Sequence, residues 1–334
     1  MVTPLAADTK PYVESDPRIG YRYVPGARLS LPRPGGGHYE IAVNADGIRS
    51  DRTFSVAKPP GVTRIVVLGD SMAAGQFVSN HQRFSELLER RHRGVEVINL
   101  ALEGSGTDQQ VLLYEQVGLK FEHDLVLLLP FLQNIRRNLA AAREAIDPAS
   151  GAIVFRPKPY FELSGDRLIL HPPSVQLPTA ATTDEPVTLA LGLKSAISRM
   201  PGADLLKKIG YALVPWEPFP EYRDANGRAW LLMTALIRHL KMLAGSRPVV
   251  VAPVFYSNYV RYRMATNYWE RFSGLRAIDG VHPVNVLPHF KRLGPDAMRC
   301  FQDPFDMHFS ADGHLVLAEA IDLQLSELGL LPAA

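Results

Sequence analysis

Arg64-Ile-Val-Val-Leu-Gly-Asp-Ser-Met-Ala-Ala-Gly75 begins as four apolar residues, Ile65 to Leu68, the pattern of a short strand buried on both faces. Gly69 breaks the run, and Asp70-Ser71 follow. Beyond a short loop, Phe84, Leu87, Leu88 and Arg91 recur at helical spacing. A serine at the C-terminal end of a buried strand, in the tight turn before a helix, lies where an α/β sheet exposes reactive groups. Gly69 and Gly75 leave backbone room around it. This is the logic of a nucleophile elbow without the usual Gly-x-Ser-x-Gly spacing. The tripeptide alone fits a capping serine better than a nucleophile.

Working outward, the same alternation continues. Val95-Glu-Val-Ile-Asn-Leu100 reads as a second strand, and Thr107 as the N-cap of a helix running to about Leu119. His123-Asp-Leu-Val-Leu-Leu-Leu-Pro130 is a third, apolar strand. A helix over 227–244 carries Leu231, Leu232, Leu236 and Leu240, and strand Pro248-Val-Val-Val-Ala252 follows it. A last helix starts after Ser310 and carries Leu315, Ala318, Ile321 and Leu325. Alternating strands and helices predict a flavodoxin-like three-layer α/β/α fold with a parallel sheet. Right-handed crossovers then bring Ser71, Gly104 and Asn134 to one sheet edge.

Two segments depart from that rhythm. Residues 1–61 are rich in Pro and Gly, with one weakly alternating run from His38 to Val43, turn chemistry at Asn44-Ala-Asp-Gly47, and a closing Lys58-Pro-Pro-Gly61. They form a β-rich N-terminal extension ahead of an α/β domain over 62–334. Residues 137–225 form an insertion, a lid or substrate wall. There Ala152-Ile-Val-Phe155 and Arg167-Leu-Ile-Leu170 suggest a hairpin, and 187–212 is weakly helical.

The 334 residues are 46% apolar and 21% charged, a globular composition with no case for disorder. A net charge of +2 gives no sign of a nucleic-acid or membrane-surface partner. The single Cys300 excludes an internal disulfide and a cysteine metal cluster. Neither metal-ligand spacing nor a Gly-rich phosphate loop is present, so chemistry without a cofactor is expected. Met1 to Lys10 lacks an apolar leader core and no run reaches transmembrane length, which gives the expectation of a cytoplasmic protein, or of an exported one if a leader has been trimmed away.

Three further blocks add to Gly69-Asp-Ser71: Asn99-Leu-Ala-Leu-Glu-Gly104, Pro130-Phe-Leu-Gln-Asn134 and Asp303-Pro-Phe-Asp-Met-His-Phe-Ser-Ala-Asp-Gly-His314. Together they resemble the SGNH/GDSL hydrolase superfamily of serine esterases and acyltransferases. The order Gly20-Tyr-Arg, then Asn44-Ala-Asp-Gly-Ile-Arg49, then the Gly-Asp-Ser strand is similar to a bacterial branch with a β-rich lead-in. The resemblance implies Ser71 as nucleophile and His308 as base. It implies an oxyanion hole made of the Ser71 and Gly104 amides and the Asn134 side chain.

This chain departs from the family pattern at several points. Asp is expected three residues before the histidine, where Phe305 stands, so Asp306, two before it, becomes the candidate acid. In an extended loop, residues i and i+2 point the same way, which lets Asp306 reach the imidazole. Asp303 remains the other carboxylate of the loop. Ile135 replaces the Asp after Asn134, and Leu132 replaces a Gly. His314 falls inside the last helix, in a packing or capping position. Asp279-Gly-Val-His282 has the Asp-x-x-His spacing, but Pro283-Val-Asn-Val-Leu-Pro288 after it reads as a strand, not a helix start. Arg136 and Arg137 read as solvated, and Tyr256, Tyr259, Tyr262, Tyr268 and Trp269 as packing.

The expected activity is serine-dependent hydrolysis of a small acyl ester, with an O-acetylated carbohydrate the substrate class the resemblance favours. An O-acyltransferase using the same serine and histidine, or a catalytically silent glycan-binding protein, are the alternatives. The expected partner is a small-molecule or carbohydrate ester. Oligomeric state is not legible in the sequence.

Overall fold

The computed structural model describes residues 12–146, 153–174, 210–211 and 213–332. At its centre is a parallel sheet of five strands: β1 (Thr63–Gly69), β2 (Val95–Asn99), β3 (Leu125–Leu129), β4 (Val249–Val251) and β5 (Val281–Pro283). β1 pairs with β2 on one side and β3 on the other, and β4 and β5 continue beyond β3. The spatial order is therefore 2-1-3-4-5, the doubly wound order in which the chain reverses direction between β1 and β3. The crevice outside the C-terminal ends of those two strands is where such sheets bind ligands. Ser71 follows β1, and Asn134 follows β3.

The apolar runs are explained by burial on both faces: Ile65 to Leu68 and Val126 to Leu129 are fully buried. Helices α1 (Phe84–Arg91), α2 (Thr107–Gln116), α3 (Arg228–Ala244) and α4 (Ala311–Glu327) supply the outer layers. α1 joins β1 to β2, whereas α2 and α3 join strands running the other way across the sheet. With right-handed crossovers, α2 and α3 pack together on one face, and α1 packs with α4 on the other.

Local details differ from expectation by identifiable physics. Gly106, not Thr107, caps α2, and Gln109 closes the turn back onto its N–H at 3.4 Å. The run 283–288 is not a strand. β5 ends at Pro283, and Pro288 sits in the first turn of a short helix, Leu287–Lys291, where its missing N–H costs nothing. Among the described residues, the insertion holds two hairpins rather than one. Ala142–Ile146 pairs with Ile153–Pro157, and Tyr160–Ser164 pairs with Arg167–His171 across Gly165-Asp166. The helical stretch expected near 187–212 lies, apart from residues 210 and 211, outside the described residues.

The N-terminal segment forms two hairpins, Val13–Asp16 with Gly20–Tyr23 and Arg28–Pro32 with His38–Ala42. The first is fastened to the central domain by buried tyrosines. Tyr21 Oη donates to the Glu103 carbonyl at 2.8 Å and Tyr23 Oη to that of Ala101 at 3.3 Å. Among the described residues, no helix is long and apolar enough to cross a membrane, and no group of three or more His, Cys, Asp or Glu could hold a metal ion.

Candidate active site

Asp70 ends the exit from β1 in an extended conformation and caps the one-turn helix Ser71–Ala74, its Oδ1 accepting the Met72 N–H at 3.0 Å. Gly75 closes that turn at φ 77°, a conformation that L side chains rarely adopt. Ser71 is thereby held just beyond the C-terminal end of β1, 5% exposed.

His308 approaches from the loop before α4. Its Nε2 lies 2.7 Å from Ser71 Oγ, and its Nδ1 makes a short hydrogen bond with Asp306 Oδ1. The same carboxylate oxygen accepts the His308 backbone N–H at 2.9 Å. A carboxylate that accepts the N–H two residues on forms an Asx-turn. Asp306 thus reaches the imidazole through a bend and not through the extended backbone expected from the sequence. Burial raises the Asp306 carboxyl, but the bond to His308 and its charge outweigh that and hold it below the usual carboxylate range. The base of the loop is closed by a bridge between Phe301 and Phe309 and by Gln302 N–H donating to the His308 carbonyl at 2.8 Å.

Asp303 faces elsewhere and pairs with Arg261. His282 stands on β5, three strands from β1, which at about 4.8 Å per strand is roughly 14 Å across the sheet. Asp279 is exposed beside it. His314 lies inside α4, fully buried, with Nδ1 accepting the Phe84 N–H at 3.3 Å; burial and nearby arginines push its pKa down to about 3. It is a neutral packing residue between α4 and α1.

The remaining donors sit on the neighbouring loops. Gly104 adopts φ 78°, and a Cβ there would meet the Arg143 guanidinium at 2.6 Å. The positive φ demands glycine, and the Arg143 guanidinium takes up the space that a Cβ would fill. Neither the Ser71 nor the Gly104 N–H has a hydrogen-bond partner among the described residues. Asn134 opens a short helix, Asn134–Arg137, and is fully buried, with Nδ2 3.5 Å from Thr107 Oγ1.

Arg137 is the residue that sequence reasoning missed. Its side chain is only partly exposed and is paired: Nη1 donates to buried Asp70 Oδ2 at 2.6 Å and lies 3.3 Å from Asn134 Oδ1 and 3.4 Å from the Ser105 carbonyl. One guanidinium nitrogen therefore touches all three loops that carry Ser71, Gly104 and Asn134. Burial pushes the Asp70 carboxyl up while Arg137 pulls against it, and the contact with Oδ1 turns the Asn134 amide nitrogen away from Arg137. Arg136 is also paired, with Glu221 and the Pro218 carbonyl. Nothing in the spacing of two adjacent arginines distinguishes these roles from a solvated pair. Phe77 is a second missed residue. It holds φ 70°, unusual for an aromatic residue, and packs edge-on against both His308 and Tyr39 of the second N-terminal hairpin.

The insertion reaches the same region, since Arg143 lies over the Tyr21 ring at 4.9 Å and against Gly104. The tyrosines after β4 pack among themselves, Tyr259 edge-on to Tyr268 at 5.4 Å and to Tyr256 at 5.7 Å.

No protein-family model matches the sequence, and no curated protein is significantly similar to it. Solved structures with a related chain path include a lipolytic protein of the G-D-S-L family from Veillonella parvula, 10% identical, with 80% of this chain and 98% of that one aligned at a TM-score of 0.41. The chain is similar in fold to GDSL-type lipolytic proteins. A lipase/acylhydrolase from Enterococcus faecalis is 14% identical over 80% of this chain and 97% of its own, at a TM-score of 0.42. The salicylyl-acyltransferase SsfX3 from a tetracycline biosynthetic pathway is 12% identical over 83% of this chain and 58% of its own, at 0.41.

Proposed function

We propose that this chain is a serine-dependent ester hydrolase that works through an acyl-enzyme, on a small acyl ester and with an O-acetylated carbohydrate as the favoured substrate class. The observation that carries the reading is the relay Ser71 Oγ–His308 Nε2–His308 Nδ1–Asp306 at the C-terminal end of β1. Ser71 Oγ attacks the ester carbonyl while His308 Nε2 takes its proton. The tetrahedral oxyanion is met by the amides of Ser71 and Gly104 and by Asn134 Nδ2, donors that carry no full charge and so favour the transition state over the ground state. His308 returns the proton to the departing alkoxide, which leaves Ser71 acylated. A water then attacks, with His308 again as base, and releases the acid. Asp306 holds the Nδ1–H tautomer and stabilises the imidazolium.

The test is covalent and direct. A fluorophosphonate should label the wild type at Ser71 and leave Ser71→Ala unlabelled. Labelling elsewhere, or undiminished p-nitrophenyl acetate cleavage by Ser71→Ala, defeats the mechanism. Assays on acetylated sugars with and without an alcohol acceptor then separate hydrolysis from transfer. No turnover of any ester, with sugar binding retained, identifies the silent glycan-binding alternative.

Asn134 gives a second, graded outcome. With its amide donating to the oxyanion, Asn134→Ala should lower kcat by about 10²–10³-fold and change KM less. A loss below about threefold means that other groups build the hole.

A further inference from the structure

The motif Asn44-Ala-Asp-Gly-Ile-Arg49 has no part in the chemistry above, yet it delivers a fully buried arginine to the back of the site. Asn44 Oδ1 accepts the N–H groups of Asp46 and Ile48 at 2.9 and 3.0 Å, and Gly47 completes the turn at φ 76°. Val43 and Arg49 then bridge as an antiparallel pair. The turn leaves Arg49 pointing inward.

Its guanidinium is spent on one short stretch of chain. Nη1 donates to the carbonyls of Ala74 and Gly75 at 2.7 and 2.9 Å, Nη2 to that of Val78 at 2.5 Å, and Nε to Asn80 Oδ1 at 2.9 Å. Ala74 and Gly75 end the helical turn that begins with Ser71, and terminal helix carbonyls lack partners within the helix. On the other side, Nη1 lies 3.8 Å from the carboxylate of Glu103, itself buried and adjacent to Gly104. Tyr12 Oη donates to that carboxylate at 3.0 Å. Ser79 Oγ accepts the Glu40 N–H at 2.9 Å and Asn80 Nδ2 donates to the Ala42 carbonyl at 2.9 Å, so the second hairpin grips the same stretch.

We propose that Arg49 is a positioning residue that sets the separation between the Ser71 turn and the Gly104 loop, so that the N-terminal extension is part of the catalytic unit. The planar fork fits three carbonyls and one amide oxygen at fixed angles while placing its charge beside Glu103. A lysine ammonium, with three donors on one point, cannot meet that set. The consequence for rate rests on the hydrolase reading; the consequence for geometry does not.

The experiment therefore has two readouts on the full chain, wild type against Arg49→Lys. The first is amide hydrogen exchange without substrate. Protection of Gly75, Gln76, Val78, Leu102 and Ser105 should fall together by about tenfold or more, while α4 exchanges as in the wild type. The second is turnover of p-nitrophenyl acetate, with kcat reduced about 10–100-fold and KM within about threefold, because small misplacements of reacting groups act on the rate step. Phosphonylation of Ser71 should slow in parallel. Wild-type exchange in both segments overturns the proposal. So does a kcat within about twofold in an active enzyme. A silent wild type defeats the hydrolase reading instead, and the exchange result then decides the positioning role alone. If Arg49→Lys does not fold, Arg49→Met combined with Glu103→Gln removes both buried charges together and is read the same way.

Discussion

Replacing His308 by alanine should lower kcat for an aryl acetate by about 10⁴–10⁶-fold, a loss matching that of Ser71→Ala. The size follows from the geometry. At 2.7 Å from Ser71 Oγ, Nε2 is the acceptor placed for the serine proton, and a neutral serine hydroxyl attacks esters poorly. Removing either partner removes the same step, so the double variant should be hardly worse than either single one. His282→Ala should remain within about twofold of wild type, since β5 lies at the far edge of the sheet from β1. Steady-state kinetics on the wild type and the four variants checks this. A dead His282→Ala beside an active His308→Ala would place the base on the other loop.

The second large effect separates two carboxylates of one loop. Asp306→Asn should reduce kcat by about 10³–10⁴-fold with little change in fold. Asparagine can still accept the His308 backbone N–H, but its amide can also donate to Nδ1. That would select the tautomer with a proton on Nε2, which cannot accept one from serine. The aspartate does the opposite, because its carboxyl is held low enough to stay ionised at neutral pH. Asp303→Asn breaks only the partly exposed pair with Arg261. It should cost at most about 1 kcal/mol of stability and leave kcat within about twofold. Thermal melts together with kcat on both variants distinguish the outcomes. A crippled Asp303→Asn beside an active Asp306→Asn would reverse the assignment.

Much of this arrangement was legible in the chain. Residues buried on both sides of a parallel sheet must be continuously apolar, so Ile65–Leu68 and Leu125–Leu129 announced themselves. The strand–helix alternation then implied one active edge. Ser310 was readable as a cap because its hydroxyl accepts the Gly313 N–H, a local interaction with a local signature. The glycine at 104 was legible as a motif member, although the Arg143 guanidinium packed against it was not.

Periodicity, capping and turn chemistry act over a few residues and leave their pattern in the chain, which is why the strands, caps and motif turns could be read from it. Which charges meet is settled only when the chain has folded. Arg137 and Asp70 are 67 residues apart and Arg49 and Glu103 are 54 apart, and no local rule pairs them. An arginine in water and an arginine spanning three buried loops are the same letter. The difference arises when burial makes an unpaired charge too costly and the packed loops supply its partners. The same holds for Asp306 over Asp303: both spacings were compatible with His308, and the choice fell to the bend that Phe301 and Phe309 close and to Arg261, which holds Asp303 aside.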